Sequence, residues 1–253
     1  MYVGEMHYEF KLKLNKVDSL DYNNFLVPEI DWYLNEAQSI YIKTRYSGNN
    51  SRAAGFEASQ KRTDDLRNLV VRDKIFAAIP TSSDPSVYEV LLPSTGIERY
   101  MFALRMTANG AKSGCEGKLN CIQTQHDDLN DTLKNPFYAP SFEWREVPIV
   151  YGTTGAGASD INKVFVYTDG SFSITSINID YLRHPARIAY PSGFAGNQYL
   201  LPDNSGTLVT ADQNCELSEH THKEIVDLAV QIVAGDIDHP GFQSKMLKTS
   251  INE

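Results

Sequence analysis

The segment Pro28–Gly48, PEIDWYLNEAQSIYIKTRYSG, limits the fold more than any other. Ile30, Leu34, Ala37 and Tyr41 recur at helical spacing, with Tyr33 and Ile40 widening the stripe, so the spacing predicts an amphipathic helix. Pro28 suits its first position, and Glu29 and Asp31 lie where the helix dipole favours negative charge. Lys43 and Arg45 fall in the last turn, and Gly48 ends it. One apolar stripe needs another to cover it. At the opposite end of the chain, within Cys215–Asp236, Ile225, Leu228, Ala229, Ile232 and Val233 step at the same interval, with Ser218 as the expected N-cap. A shorter helix is predicted over TDDLRNLVVRDK, capped by Thr63, with Leu66, Leu69 and Val70 facing inward.

Between these ends the texture is that of strands, from about Ile79 onward. In RYMFALRMT, Tyr100, Phe102, Leu104 and Met106 share one face; in WREVPIVYG, Pro148 points to a sheet edge. In KVFVYTDGSFSITSINIDYL, Asp169-Gly170 between apolar runs predicts a hairpin. The apolar phase of its second run is even at Phe172 and Ile174 and odd at Ile177, Ile179 and Tyr181, which predicts a bulge near Thr175-Ser176. Near the N-terminus, Tyr8, Phe10, Leu12 and Leu14 alternate with charged residues, predicting a half-buried strand, with a short helix as the alternative. The expected class is α+β, an antiparallel β-region inserted into a helical one. The expected division is 1–78 as a strand and helical region and 79–190 as the β-rich insertion. It continues with 191–214 as a long irregular segment and 215–253 as a helix and tail packing with the N-terminal helices.

Chemistry is hard to find in this pattern. The net charge is −9, and no basic run exceeds KLKLNK or QKR, which argues against a tight grip on nucleic acid. The opening MYVGEMHYEFKLKL lacks the apolar core of a signal peptide, and no window has the apolar length of a membrane span. Cys115, Cys121 and Cys215 are odd in number, so free thiols in a reducing cytoplasm are expected. Cys215, His220 and Glu224 could formally ligate a metal, and HKE echoes the H-x-E of zinc deaminases. On a helix, however, His220 and His222 stand about 200° apart, and the deaminase P-C-x-x-C is missing. YGTTGAGASD and NGAKSG lack the glycine spacing of a phosphate cradle and read as loops. His126, Asp127, Asp128 and Asp131 could serve a metal hydrolase, but a short helix with Leu129 and Leu133 inward and its acids in water accounts for them. No catalytic residue, metal site or cofactor is therefore expected.

The order of these segments resembles a known family. VPEIDWYLNEAQSIYIKTRY followed by GFEASQKRTDDLRNLV is similar to the N-terminal region of tailed-phage head–tail connector proteins, closest to the ring proteins of crAss-like phages. The matching residues are Glu29, Leu34, Asn35, Ala37 and Gln38, then Gly55, Phe56, Lys61, Arg62, Asp65, Leu66 and Leu69. The likeness resumes in DYLRHP, Asp180–Pro185, and in CELSEHTHKEIVDLAVQIV. It implies an adaptor-like helical region and a non-enzymatic virion protein, assembled in the host cytoplasm. It further implies copies in a twelve-fold ring between the portal and the other neck and tail proteins, with DNA passing nearby unbound and no membrane involved. Other tail parts (a tube, a stopper or a receptor-binding accessory) remain the alternative, and a metal-dependent hydrolase a further one. Contacts between copies are expected at Phe194, Tyr199 and Leu200 in the irregular segment and at Phe242, Met246 and Leu247 in the tail.

Overall fold

The computed structural model describes residues 1–14, 25–47, 59–153, 162–200 and 207–236. They belong to two compact units, one of Met1–Leu69 with Pro185–Glu253, the other of Val70–His184. The architecture is α+β, with helices from both ends of the chain in the first unit and a large curled sheet in the second.

The first unit contains helices α1 (Val3–Leu14), α2 (Val27–Tyr46), α3 (Gln60–Leu66) and α5 (His222–Asp236). The N-terminal segment is thus a helix, not the strand that its alternation predicts. Its buried residues are Val3, Met6, His7, Phe10 and Leu14, all at helical intervals. The alternation arose because Tyr8 and Leu12 are apolar residues on the exposed face. In α2 the predicted Ile30, Leu34, Ala37 and Tyr41 are buried, but Ile42 extends the stripe while Ile40 faces solvent. The Glu29 carboxylate accepts the Leu26 N–H at 2.8 Å, satisfying a donor at the helix start. Both α1 and α2 pack on α5 through its Ile225, Val226, Ala229, Val230 and Val233. Burying each of the isoleucine and valine side chains contributes about 1.5–3 kcal/mol, and the Ala229 methyl less. Ser59, not Thr63, caps α3 by accepting the Arg62 N–H, and the helix ends at Leu66. A 3₁₀ turn, Arg67–Leu69, follows it. Ser218 does not cap α5 either: its hydroxyl donates to the Asp64 carbonyl at 3.0 Å, and a 3₁₀ turn over Glu219–Thr221 leads into the helix.

The second unit holds strands β1 (Val70–Ala77), β2 (Ile79–Pro80), β3 (Val87–Leu91), β4 (Tyr100–Lys112), β5 (Cys115–Gln123), β6 (Glu146–Thr153), β7 (Asn162–Tyr167) and β8 (Ser173–Arg183), with the short α4 (Leu129–Lys134) between β5 and β6. The strands begin at Val70, where helix was expected, because the β-branched Val70-Val71 joins the ladder of β8. Sheet order is β1-β8-β4-β5-β6-β7-β3-β2. Only Ala78 separates β1 from β2, so the single segment Val70–Pro80 pairs with β8 at one end of that order and with β3 at the other. The sheet curls until one bent strand supplies both edges. Inside lie Ile177, Ile179 and Tyr181 of β8, Val164 and Val166 of β7, Val147 and Ile149 of β6, and Leu119 of β5.

Three strand expectations need correction. First, β7 and β8 flank Asp169-Gly170 but do not pair with each other: β7 lies between β6 and β3, and β8 between β1 and β4. Asp169 instead accepts from the Ser171 N–H and hydroxyl, each at 2.8 Å, in a local turn that lets the chain cross over. The true tight hairpin joins β4 to β5 at Ser113-Gly114, whose φ values of 49° and 85° suit a type I′ turn. Second, β6 is an interior strand. Arg145 and Ile149 offer their carbonyls to β5. Pro148 is out of phase with them and turns its nitrogen toward β7, whose pairing starts only at Ile149. Third, the sheet is not wholly antiparallel, since β5 and β6 run parallel. The bulge, by contrast, is present: Asn109 pairs with Ser176 and Gly110 with Ile174, which leaves Thr175 as the extra residue.

Candidate subunit-contact surfaces and the lock beneath them

Helix α2 organises the first unit through polar side chains on its buried face. Near its start, Asp31 accepts from His7 Nε2 at 2.8 Å, the Tyr190 N–H at 3.1 Å and the Tyr199 hydroxyl. One turn on, Asn35 donates to the Ile188 carbonyl at 2.8 Å and accepts the Ile188 N–H at 2.9 Å, clamping the chain after Pro185 as a strand partner would. Gln38 reaches Cys215 Sγ at 3.8 Å.

At the other end of α2, Arg45 is 3% exposed and meets two carboxylates, Asp65 of α3 at 3.2 Å and Glu224 of α5 at 2.6 Å. Asp65 also accepts from the Tyr41 hydroxyl at 3.0 Å and from His220 Nε2 at 2.7 Å. Lys61 closes on Glu224 at 3.3 Å. Burial holds the Tyr41 hydroxyl well above its ordinary pKa, so it stays a donor. Burial works against the charge of Arg45, but Tyr41 and the two carboxylates outweigh it and raise its pKa. Arg62, also buried, donates to the carbonyls of Thr44 and Arg45 and satisfies the end of α2. These groups lock three helices together; they do not converge on an open cavity.

The candidate ligand sets do not assemble. Cys215 lies against Gln38, His220 on Asp65 and Glu224 on Arg45. Among the described residues no group of three or more His, Cys, Asp or Glu is placed to hold a metal ion. His126 engages the Tyr151 carbonyl at 2.9 Å while Asp127 and Asp128 face solvent. Leu129 and Leu133 of α4 are half-buried. All three cysteines are free thiols, and burial pushes Cys121 up to about 12 and Cys215 up to about 11. No helix among the described residues is long and apolar enough to cross a membrane.

What the chain presents to solvent is apolar in several places. On α1, Tyr8 and Leu12 form an exposed stripe at i, i+4 spacing, with the exposed Tyr2 just before the helix. On α2, Trp32 and Ile40 are exposed about two turns apart. Beside α1 a cleft runs past Leu217–His220, the segment that opens α5. Of the expected contact residues in the irregular segment, Leu200 is exposed on a two-stranded ladder, β9 (Tyr199–Leu200) with β10 (Leu208–Val209). Phe194 is half-buried against Tyr199. Tyr199 itself is buried, its hydroxyl spent on Asp31. Phe242, Met246 and Leu247 lie outside the described residues. Sequence reasoning missed the α1 stripe by assigning that segment to a strand, and the exposed Phe137, Tyr138 and Trp144 of the second unit by passing over NPFYAPSFEW.

Of the resemblance residues, Asn35 and Gln38 hold the returning chain, and Lys61, Arg62 and Asp65 tie α3 to α2 and α5. Leu34, Ala37, Leu66 and Leu69 are buried in the core, and Gly55 and Phe56 lie outside the described residues. A family model described as phage tail ring protein 3/4 matches residues 1–237. No curated protein matches the chain. The protein therefore belongs to the phage tail ring protein 3/4 family, structural virion components that assemble as rings in the phage tail.

Proposed function

We propose that this protein forms a twelve-fold connector ring between the portal and the rest of the tail, around the channel through which DNA leaves. The observation that carries this reading is the family match over 1–237, which leaves only the tail outside it. Two features support it. A cyclic ring needs two different patches on each copy, one to meet the other on the next copy, and separate apolar stripes on α1 and α2 supply candidates. The net charge of −9 suits a conduit that must pass DNA without holding it. Leu200 and Phe194, with the tail residues Phe242, Met246 and Leu247, belong to the contacts between copies. The other neck and tail proteins are the partners above and below.

Electron cryomicroscopy of the particle tests the reading. Twelve copies in one ring adjoining the portal are expected. A stack of repeating rings along the tail, or three copies at a fibre base, would refute the connector role while leaving a tail function.

A further inference from the structure

A cleft beside α1 lies open among the described residues. Tyr8 and Leu12 stand on one wall, 70% and 56% exposed, and Leu217 lines the floor. Glu5 and Glu9, on the same helix as Tyr8, and Glu219 also line the cleft. Arg67, Lys223 and the N-terminal residue Met1 line it as well. Its volume of about 1170 Å³ exceeds the range of about 300–1,000 Å³ usual for small-molecule clefts and suits a peptide segment.

We infer that this cleft receives the segment Phe242–Lys248 of a neighbouring copy in the ring. The inference rests on the ring reading above and adds where the tail goes. Phe242, Met246 and Leu247 supply apolar side chains for Tyr8, Leu12 and Leu217. Lys245 and Lys248 can pair with Glu5, Glu9 and Glu219, the acidic members of a lining that also carries Arg67, Lys223 and the N-terminal amine. Glu9 already meets Lys13 at 2.7 Å, Glu219 the N-terminal amine at 3.0 Å, and Glu5 accepts the Tyr2 N–H at 2.9 Å. The incoming lysines therefore join existing contacts, and among the three Glu5 is the one whose partner is uncharged. Reach allows it: the cleft lies at the start of α5, whose 15 residues span about 22 Å, and the tail has 17 residues beyond Asp236, 237–253. The same reach would let a chain fill its own cleft. A ring, though, is held by contacts from copy to copy, and a tail exchanged around it ties each subunit to the next. The family match stops at 237, before this segment.

The test uses full-length protein with Cys115→Ser, assembled into particles from two chain types of different size. One type carries Leu12→Cys and the other Met246→Cys, and both new cysteines sit on positions not used by the helix lock. A heterodimer band after treatment with a bismaleimide is expected. Lys245→Glu with Lys248→Glu should reduce that band about fivefold, and adding Glu5→Lys should restore part of it. Rings visible by microscopy with no heterodimer band would overturn the inference and leave the ring reading intact. So would a chain carrying both cysteines that cross-links only within itself. Particles with no ring of this protein would overturn both.

Discussion

Replacing Asp65 by alanine should unfold the first unit far more easily than its small volume change suggests. Asp65 is fully buried and receives the Tyr41 hydroxyl, His220 Nε2 and the side of the Arg45 guanidinium. Truncating it leaves a nearly buried cation with one carboxylate where it had two. Removing one partner of a buried pair costs about 3–5 kcal/mol, and the low end applies here because Glu224 keeps its contact at 2.6 Å. Glu224 is also the more accessible carboxylate and already shared with Lys61. With a urea dependence of roughly 2 kcal/mol per molar, about 3 kcal/mol moves the midpoint down by about 1.5 M. The assay follows from where the two tryptophans lie, Trp32 in α2 and Trp144 in the second unit. In a Trp144→Phe background, Trp32 fluorescence reports the first unit alone. A Lys61→Ala control, at the exposed rim, should cost less than about 1 kcal/mol. If Asp65→Ala shifted the Trp32 midpoint by no more than Lys61→Ala does, the view of this cluster as a helix lock would be wrong.

Three further outcomes are expected. Under native conditions at pH 8 a maleimide should label Cys115 rapidly and spare the other thiols. Only the thiolate reacts, and burial has raised Cys121 to about 12 and Cys215 to about 11, so their labelling should quicken as pH climbs toward those values. Gly114→Ala, at φ 85°, should cost about 1 kcal/mol as the type I′ turn is strained, seen as a lowered midpoint of Trp144 fluorescence in a Trp32→Phe background. Asn35→Ala removes both bonds to Ile188, and hydrogen exchange at the Ile188 amide should accelerate at least about tenfold, corresponding to about 1.4 kcal/mol. An unchanged rate would mean that the clamp is not what orders that segment.

How far the sequence could be read depended on how local each cause was. The buried face of α2 followed from spacing, because a helix stripe is set by residues within a few turns of each other. The Thr175 bulge was legible for a similar reason: a change of apolar phase within one strand needs an extra residue wherever the strand pairs. Asp169-Gly170 misled because a turn signal says that the chain bends, not which strands then meet, and β4 and β1 claimed β8 first. Pro148 misled because edge position was inferred from the missing donor, whereas the register supplied a slot beyond the end of the β7 ladder. Of the lock, only the types were visible. Nothing in the spacing of Arg45, Asp65 and Glu224 shows that three helices bring them within 3.2 Å or less, and the family likeness was the one sign that Lys61, Arg62 and Asp65 had work to do.

The way the chain enters and leaves the curled sheet carries one more consequence. Val70 and Leu182 are directly paired across β1 and β8, so the strand that begins the insertion and the strand that ends it stand about 5 Å apart. A host fold that opens and closes at one such seam needs no long detour to accommodate the guest. Splicing Leu69 to Pro185 with a few glycines and serines should yield a soluble helical core, and the excised 115-residue piece, 70–184, should fold as a cassette that could be exchanged for another without rebuilding its surroundings.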